Sequence, residues 1–133
     1  MRSYHIDIVT PDGLAFSGEI ESLLVRTDDG DVEILANHAD FVASLGTGKA
    51  RITVGGEKRY AACSGGFLTV ASGKVKLIAV TFEFAENIDS KRAVASKEKA
   101  EALLSSAKDE KAIIAAKAKL HRALNRISVA EMR

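Results

Sequence analysis

Apolar and polar residues alternate along several short segments in the first half of the chain. Residues 4–8, 50–54 and 74–77 each follow this pattern. Because successive side chains of a β-strand point to opposite faces, each segment would bury one face and leave the other in water. Glycine-containing turns separate the segments, at Pro11-Asp12-Gly13, Asp28-Asp29-Gly30, Gly55-Gly56, Ser64-Gly65-Gly66 and Ser72-Gly73. Many short strands at this spacing predict an antiparallel β-sandwich.

The second half of the chain has helical periodicity. Asp89 is placed to cap a first helix that ends near Ser105, and Asp109 is placed to cap a second one after a short connection at residues 105–109. Apolar stripes follow steps of three, four and seven residues, with Ala93, Ala100, Leu103 and Leu104 in the first helix and Ile113, Ala116, Leu120, Leu124 and Ile127 in the second. These stripes predict an antiparallel hairpin. Because they are narrow and rich in alanine, we expect the hairpin to detach at low cost.

Composition changes near residue 85, between these two regions. All ten glycines lie at or before Gly73, and every Phe and Tyr lies at or before Phe84. Residues 1–84 carry 8 Lys/Arg and 11 Asp/Glu, whereas residues 85–133 carry 11 and 7. An acidic body is therefore followed by a basic arm. We predict a two-domain α+β protein, with a β-sandwich over residues 1–84 and a two-helix hairpin over residues 85–133.

Several classes of protein do not fit the sequence. No apolar run approaches the roughly 18 residues of a membrane-spanning helix, and Asp7 interrupts any signal-peptide core. The single cysteine, Cys63, excludes an intramolecular disulfide and is expected to be a small packing residue. We expect a cytoplasmic protein that reaches a membrane only through a partner.

Candidate catalytic and metal-binding patterns are also missing from the sequence. The three histidines have no metal-ligand spacing, and residues 46–49 lack the full spacing of a phosphate-binding loop, so they predict a turn. No nucleophile–base set is present, and we expect no catalytic residue. The basic arm has no interleaved aromatic residues, so we expect no nucleic-acid partner. The alternatives for function are a subunit of a larger complex, an unrelated adaptor, and an enzyme.

The whole chain resembles the ε subunits of bacterial F-type (rotary) ATP synthases. The order and spacing of several segments carry the resemblance, namely residues 4–13 (YHIDIVTPDG), 16–18 (FSG), 30–39 (GDVEILANHA), 64–68 (SGGFL) and 88–93 (IDSKRA). The sequence departs from the family in the stretch of residues 30–40. There Glu33 replaces a usual glycine, and Ala36 and Asp40 replace usual prolines.

The resemblance implies a non-catalytic rotor (central stalk) subunit. Its sandwich would bind the γ subunit and the membrane-embedded c-ring, with Asp31 and His38 at the c-ring contact. The hairpin would fold against the sandwich or extend along γ toward the α/β catalytic head, where it would block ATP hydrolysis. The complex would lie at the cytoplasmic face of the membrane, and we expect the isolated chain to be monomeric. A γ-binding sandwich also predicts an exposed apolar patch.

A regulatory ATP site is implied by the same resemblance. Residues matching the family's pattern are Glu83, Ile88, Asp89, Arg92, Ala93, Arg122 and Arg126. No cofactor would be required, no metal site is expected, and Mg²⁺ would not be essential for ATP binding. Independently, Arg92 lies in the first turn of a helix, where the dipole disfavours cations, and Arg122 and Arg126 form a like-charge pair one turn apart. A bound anion would offset both the unfavourable interaction of Arg92 with the helix dipole and the repulsion between Arg122 and Arg126.

Two other interpretations of these residues stay open on the sequence alone. Asp89 can act only as a helix cap. The arginines can form a solvated face, or they can contact γ or acidic surfaces of the catalytic head.

Overall fold

The computed structural model describes residues 2–133, which form ten strands followed by two helices. The strands are β1 (Tyr4–Thr10), β2 (Gly13–Ile20), β3 (Ser22–Thr27), β4 (Gly30–Leu35), β5 (Phe41–Ser44), β6 (Gly48–Val54), β7 (Glu57–Ser64), β8 (Phe67–Ala71), β9 (Lys74–Ile78) and β10 (Thr81–Phe84). The helices are α1 (Ser90–Ser106) and α2 (Glu110–Ala130). The predicted α+β architecture, a sandwich followed by a helical hairpin, is therefore confirmed.

The strands form two five-stranded sheets that pack face to face. One sheet has the order β2-β1-β9-β8-β5, and the other has the order β10-β7-β6-β3-β4. Neighbouring strands are antiparallel with one exception, because β1 pairs with β9 in parallel, with Ile6 opposite Val75 and Ile8 opposite Leu77. The local alternation of residues could not reveal this pairing, since it depends on which distant strands become neighbours.

One hydrophobic core fills the space between the sheets, and all of its buried members lie within residues 4–84. The largest of the fully buried side chains in it belong to Ile6, Ile8, Ile20, Leu23, Ile34, Ile52, Leu68 and Leu77. Burying a side chain of this size stabilises the fold by roughly 1.5–3 kcal/mol before entropy is counted. The sandwich therefore has a core that needs nothing from the hairpin.

The turn between β6 and β7 shows how glycine sets the strand register. Gly55 and Gly56 have φ values of 57° and 82°, as in the two-residue turns that match the twist of a hairpin. Val54 then lies opposite Glu57, and the pairing continues to Gly48 opposite Cys63. The glycine-containing turn that the sequence predicted at this position is confirmed, and it joins β6 to β7 as a β-hairpin.

The caps of both helices are also as predicted. The Asp89 side chain accepts a hydrogen bond from the Arg92 backbone N–H, and the Asp109 side chain accepts one from the Ala112 N–H. Each bond satisfies one of the backbone donors that a helix start leaves free. A one-turn 3₁₀ helix at Ala85–Asn87 connects β10 to the helical hairpin formed by α1 and α2.

The predicted apolar stripes are wrong in part. Leu103 and Leu124 are exposed, and the buried residues of the seam between the helices are alanines, Ala93, Ala100, Ala116 and Ala123. These lie seven residues apart on each helix, so they share one face. Small side chains let the two helices approach closely, which displaces the leucines to the flanks of the seam.

A second, smaller cluster joins the root of the hairpin to the sandwich. Its buried members are Ala62, Ala85, Ile88, Ala93, Val129 and Ala130. At the same place Arg133 donates hydrogen bonds to the Ile88 carbonyl and to the Ser90 hydroxyl. We call the six buried residues of this cluster the root cluster.

None of the described helices is long and apolar enough to cross a membrane.

Candidate anion-binding cavity

A cavity of about 470 Å³ lies between the hairpin and the β10-β7-β6 side of the sandwich. The sandwich contributes Thr47, Ala62, Cys63, Ser64, Thr81 and Glu83, and the hairpin contributes Arg92, Ser96, Lys99, Ala100, Leu103, Lys119, Arg122, Ala123, Asn125 and Arg126. A ligand that fills this cavity would therefore contact both parts of the molecule.

Five cationic side chains line the hairpin side of the cavity. Arg92 and Lys99 lie two turns apart on one face of α1, whereas Lys119, Arg122 and Arg126 follow one face of α2 at steps of three and four residues. Like charges at such spacing repel one another in an isolated helix. Their convergence on one cavity makes it suited to a polyanion.

Only one of the five cations has an acidic partner within residues 2–133. Arg126 forms a two-pronged ion pair with Glu83, with Nε 2.7 Å from Oε1 and Nη2 3.2 Å from Oε2. The pair is partly buried, with side-chain exposures of 23% and 35%. The other four cations make no ion pair in the described chain. The lining therefore carries a positive charge that the protein itself does not neutralise.

The sandwich side of the cavity is polar but contains no reactive nucleophile. The hydroxyls of Ser64 and Thr81 bond to each other at 2.7 Å, and the Asn125 side-chain amide donates to the Gly48 carbonyl at 2.9 Å. Burial raises the pKa of the Cys63 thiol to about 12, so the thiol stays protonated at neutral pH.

Two family comparisons cover almost the whole chain. Residues 3–85 match the family model described as the ATP synthase Delta/Epsilon chain, beta-sandwich domain, and residues 86–131 match the Delta/Epsilon chain, long alpha-helix domain. The chain belongs to the ATP synthase delta/epsilon family. It is therefore placed among the central-stalk subunits of F-type ATP synthases.

Individual relatives of the family agree with this assignment. The chain is 42% identical to the ATP synthase epsilon chain of Bacillus velezensis and 39% identical to that of Desulforamulus reducens, in each case over 98% of both chains. In the mitochondrial ATP synthase of Euglena gracilis, a chain that is 25% identical has a TM-score of 0.81, over 98% of this chain and 82% of that one. A chain of the Tetrahymena thermophila central stalk, 12% identical with a TM-score of 0.68, shares the fold.

The structure separates the residues of the predicted ATP site into two groups. Glu83, Arg92, Arg122 and Arg126 all line the cavity. The other three do not line it: Ile88 and Ala93 are buried in the root cluster, and the Asp89 side chain caps α1. These three support the start of α1, and so the position of Arg92.

Sequence reasoning missed two cations of the cavity, Lys99 and Lys119. The signal was present, because Lys99 lies seven residues after Arg92, and Lys119 lies seven residues before Arg126. Residues seven apart share a helix face. The spacing alone could not show which face of the hairpin turns toward the sandwich.

Asp31 and His38, the residues predicted for the c-ring contact, lie in separate local arrangements. Asp31 Oδ1 is 2.8 Å from Arg26 Nε across the β3–β4 pair. The His38 ring lies against Phe41 with the centroids 5.7 Å apart, and its Nδ1 is 2.7 Å from the Ala39 carbonyl oxygen. No hydrogen bond or ion pair joins Asp31 to His38 in the described chain.

An exposed apolar surface is present on the sandwich. Val42 is 74% exposed, Phe67 44% and Val80 59%. Val42 and Phe67 lie on one face of the β5–β8 pair, since Val42 is opposite Thr69 and Phe67 is opposite Ser44. This face points outward, because the alternating residues Leu68 and Val70 are buried. We call Val42 and Phe67 the apolar patch. An exposed apolar surface of this kind is expected for a sandwich that binds a partner.

Proposed function

We propose that this chain is the rotor subunit that joins γ to the c-ring and regulates ATP hydrolysis with its hairpin, and that ATP held in the cavity stabilises the docked hairpin. ATP would act as a regulatory ligand and would not be hydrolysed. The subunit would work at the cytoplasmic face of the membrane as part of the complex.

One observation carries the ATP part of the proposal. The cavity is built from both domains, and four of its five cations lack an acidic partner in the described chain. Arginine side chains suit phosphate oxygens because they present several donors in a fixed plane. A triphosphate would therefore bind well only while the hairpin is docked.

Regulation follows from this preference for one state. A ligand that binds only the docked state stabilises that state by RT ln(1 + [L]/Kd). At ATP concentrations about 100 times the dissociation constant, the gain is about 2.7 kcal/mol. A hairpin held against the sandwich by a small root cluster and two polar side-chain contacts is weak enough for such a gain to decide its position.

The absence of hydrolysis has support in the lining of the cavity. Glu83 is the only carboxylate among the lining residues. It already accepts two hydrogen bonds from Arg126, so it is poorly placed to activate a water molecule.

The surfaces of the sandwich support the partner assignments. The apolar patch lies on the solvent-facing side of the edge strand β5 and its neighbour β8, which suits burial against γ. Asp31 and His38 remain the proposed c-ring contacts. The Euglena assembly with the similar chain is described as containing F1 and the c-ring, which agrees with these partners.

Limited proteolysis tests the ATP site. ATP should slow cleavage of the wild-type hairpin by trypsin and should protect the Arg92→Ala variant less. Lys91→Ala is the matched control, because Lys91 lies beside Arg92 on α1 but does not line the cavity. Each variant is compared with itself with and without ATP, because both remove a trypsin site. Equal protection of Arg92→Ala and wild type would remove Arg92 from the site.

ATP hydrolysis by an ε-depleted catalytic head tests the rotor role. The head is supplemented with the full chain or with residues 1–87, a truncation that keeps the entire sandwich core. We expect both proteins to bind the head and only the full chain to inhibit it. If neither protein binds, the chain does not act as this subunit, and an adaptor with another partner becomes the better account.

A further inference from the structure

Building on the proposed c-ring contact, we infer that Asp40 is a positioning residue for His38 and that His38 presents its Nε2 atom to the c-ring as a hydrogen-bond acceptor. Both residues belong to the segment 36–40, which leads from β4 at the edge of one sheet to β5 at the edge of the other. We call this segment the crossover loop. Neither residue lines the cavity between the hairpin and the sandwich.

The Asp40 carboxylate joins the crossover loop to the turn between β8 and β9. Its Oδ1 atom accepts a hydrogen bond from the Ser72 backbone N–H at 2.9 Å. Ser72 and Gly73 have φ values of 50° and 80°, as in the two-residue turns that join antiparallel strands. The N–H of the first residue in such a turn is not used by the strand ladder, so a nearby carboxylate is a favourable acceptor for it.

The crossover loop has little in its own sequence to fix its backbone. It contains no proline, so no ring restricts φ within it. Asn37 has a φ of 65°, in the left-handed region, which is unfavourable for a residue with a Cβ even though Asn tolerates it better than most. The observed conformation therefore needs a contact from outside the loop, and the bond between Ser72 and Asp40 provides one.

The hydrogen bond of the His38 ring decides which of its nitrogens can meet a partner. Nδ1 is 2.7 Å from the Ala39 carbonyl oxygen, and because a carbonyl only accepts, Nδ1 carries the proton. In the neutral ring Nε2 is then an acceptor. Within residues 2–133 this nitrogen has no hydrogen-bond partner, and it is not buried. It therefore suits a donor on the c-ring, such as a side-chain amide, a guanidinium or a backbone N–H.

Asp40 acts on His38 through the backbone and not through a direct bond. It stands in the chain immediately before Phe41, and the His38 ring packs edge-on against the Phe41 ring with the centroids 5.7 Å apart. If the bond to Ser72 broke, the segment between the two rings could move, and the His38 ring would lose its fixed position. We therefore expect Asp40 to affect binding to the c-ring without touching it.

NMR of the full chain in solution tests this geometry without a partner. At about pH 8, where a histidine ring is normally neutral, long-range ¹H–¹⁵N spectra distinguish a proton on Nδ1 from one on Nε2. We expect the His38 proton on Nδ1 in the wild type, and amide exchange at Ser72 about fivefold faster in Asp40→Ala, as for the loss of one exposed hydrogen bond. A proton on Nε2 in the wild type would overturn the inference, as would unchanged exchange at Ser72 in the variant.

Rebinding to the c-ring tests the functional part of the inference. An ε-depleted catalytic head is reconstituted with each variant of the full chain and titrated onto membranes that carry the c-ring but lack the head. His38→Asn keeps a donor near the place of Nδ1 and loses the acceptor, whereas His38→Gln keeps an acceptor near the place of Nε2. We expect His38→Asn to weaken binding about fivefold and His38→Gln to weaken it less than about twofold.

Two variants of Asp40 separate its hydrogen bond from its charge. Asp40→Asn retains an acceptor for the Ser72 N–H and should bind like the wild type, whereas Asp40→Ala should bind about threefold more weakly. Equal weakening in His38→Asn and His38→Gln, or in both Asp40 variants, would overturn the inference and leave the c-ring contact in place. Wild-type binding by all four variants would remove His38 from the c-ring contact of the proposed function, and the inference with it.

Discussion

The sandwich and the hairpin are stabilised in different ways. In the sandwich, long branched side chains such as Ile6, Ile52 and Leu77 are fully buried between two sheets. In the hairpin, the seam between the helices is made of alanines, and Ile88 and Val129, both in the root cluster, are the large buried side chains of the described hairpin. The sandwich therefore holds its own fold, whereas the hairpin depends on its docking.

The polar contacts of the two regions follow the same division. Two side-chain contacts join α2 to the sandwich, Arg126 with Glu83 and Asn125 with the Gly48 carbonyl. Each contributes on the order of 1 kcal/mol. A region held by a few such contacts and a small apolar cluster can open while the rest of the protein stays folded. The chain therefore combines a sandwich with its own large core and a hairpin held against it by few contacts.

The largest expected loss of stability comes from a substitution at Gly66, in the turn between β7 and β8. In Gly66→Ala the new Cβ would lie 1.8 Å from the Ile78 carbonyl oxygen, at a residue with φ of 93°. The backbone must shift, so we expect a loss of at least about 3 kcal/mol in the free energy of unfolding. Urea denaturation measures this loss, and labelling of the buried Cys63 thiol reports the same opening of the core.

Gly73→Ala is the control for that variant. Gly73 also has a positive φ, of 80°, but nothing lies within 4 Å of the added Cβ. It should cost only about 1–2 kcal/mol, from backbone conformation alone. If the two variants lost equal stability, close packing at the β8–β9 side of the sandwich would not be the source of its strength.

A smaller effect, confined to one region, is expected from Val129→Ala. Val129 is fully buried in the root cluster, and removing two methyl groups should cost about 1.5 kcal/mol. Because the cluster holds the hairpin and not the sandwich, amide hydrogen exchange should accelerate in α1 and α2 and stay unchanged in β1 and β9.

Leu124→Ala removes more apolar atoms than Val129→Ala but from an exposed position. It should change hairpin protection by less than about 0.5 kcal/mol. Faster exchange in the strands of Val129→Ala would show that the two regions unfold together. The sandwich would then not be stable independently of the hairpin.

The smallest expected effect concerns the joint between the regions. Arg59 Nη2 lies 2.6 Å from Glu86 Oε1, and its guanidinium lies 3.8 Å from the centre of the Phe84 ring. The hydrogen bond from Arg59 lowers the pKa of Glu86. A carboxyl whose pKa is lowered by folding adds stability above its unfolded pKa of about 4.3, and this is lost as the pH falls through the folded value.

Arg59→Gln should therefore raise the pKa of Glu86, as followed by NMR titration of its carboxyl carbon, and should make stability less sensitive to pH below about 4.3. Lys58→Gln changes the adjacent charge on β7 without touching Glu86. An unchanged Glu86 pKa in Arg59→Gln would show that this ion pair does not stabilise the connection between the sandwich and the hairpin.

Much of the fold could be predicted because its signals are local. Alternation identified β1, β6 and β9, paired glycines marked the β6–β7 turn, and Asp89 and Asp109 were found as helix caps. For the site, the sequence could name Arg92, Arg122 and Arg126 as cations in need of an anion. It placed Leu103 and Leu124 wrongly in the seam, because periodicity does not show how closely two helices approach.

The sequence by itself determined the two regions, the type and order of their elements, and the surplus of positive charge in the arm, since each depends on residues near one another in the chain. Only the tertiary structure decided that β1 pairs with β9, that alanines form the seam, and that Glu83 meets Arg126 across 43 residues. It also showed that Lys99 and Lys119 line the same cavity as the three arginines. These features depend on which faces of distant elements meet, and that is decided only when the two sheets, the two helices and the contact between hairpin and sandwich have formed.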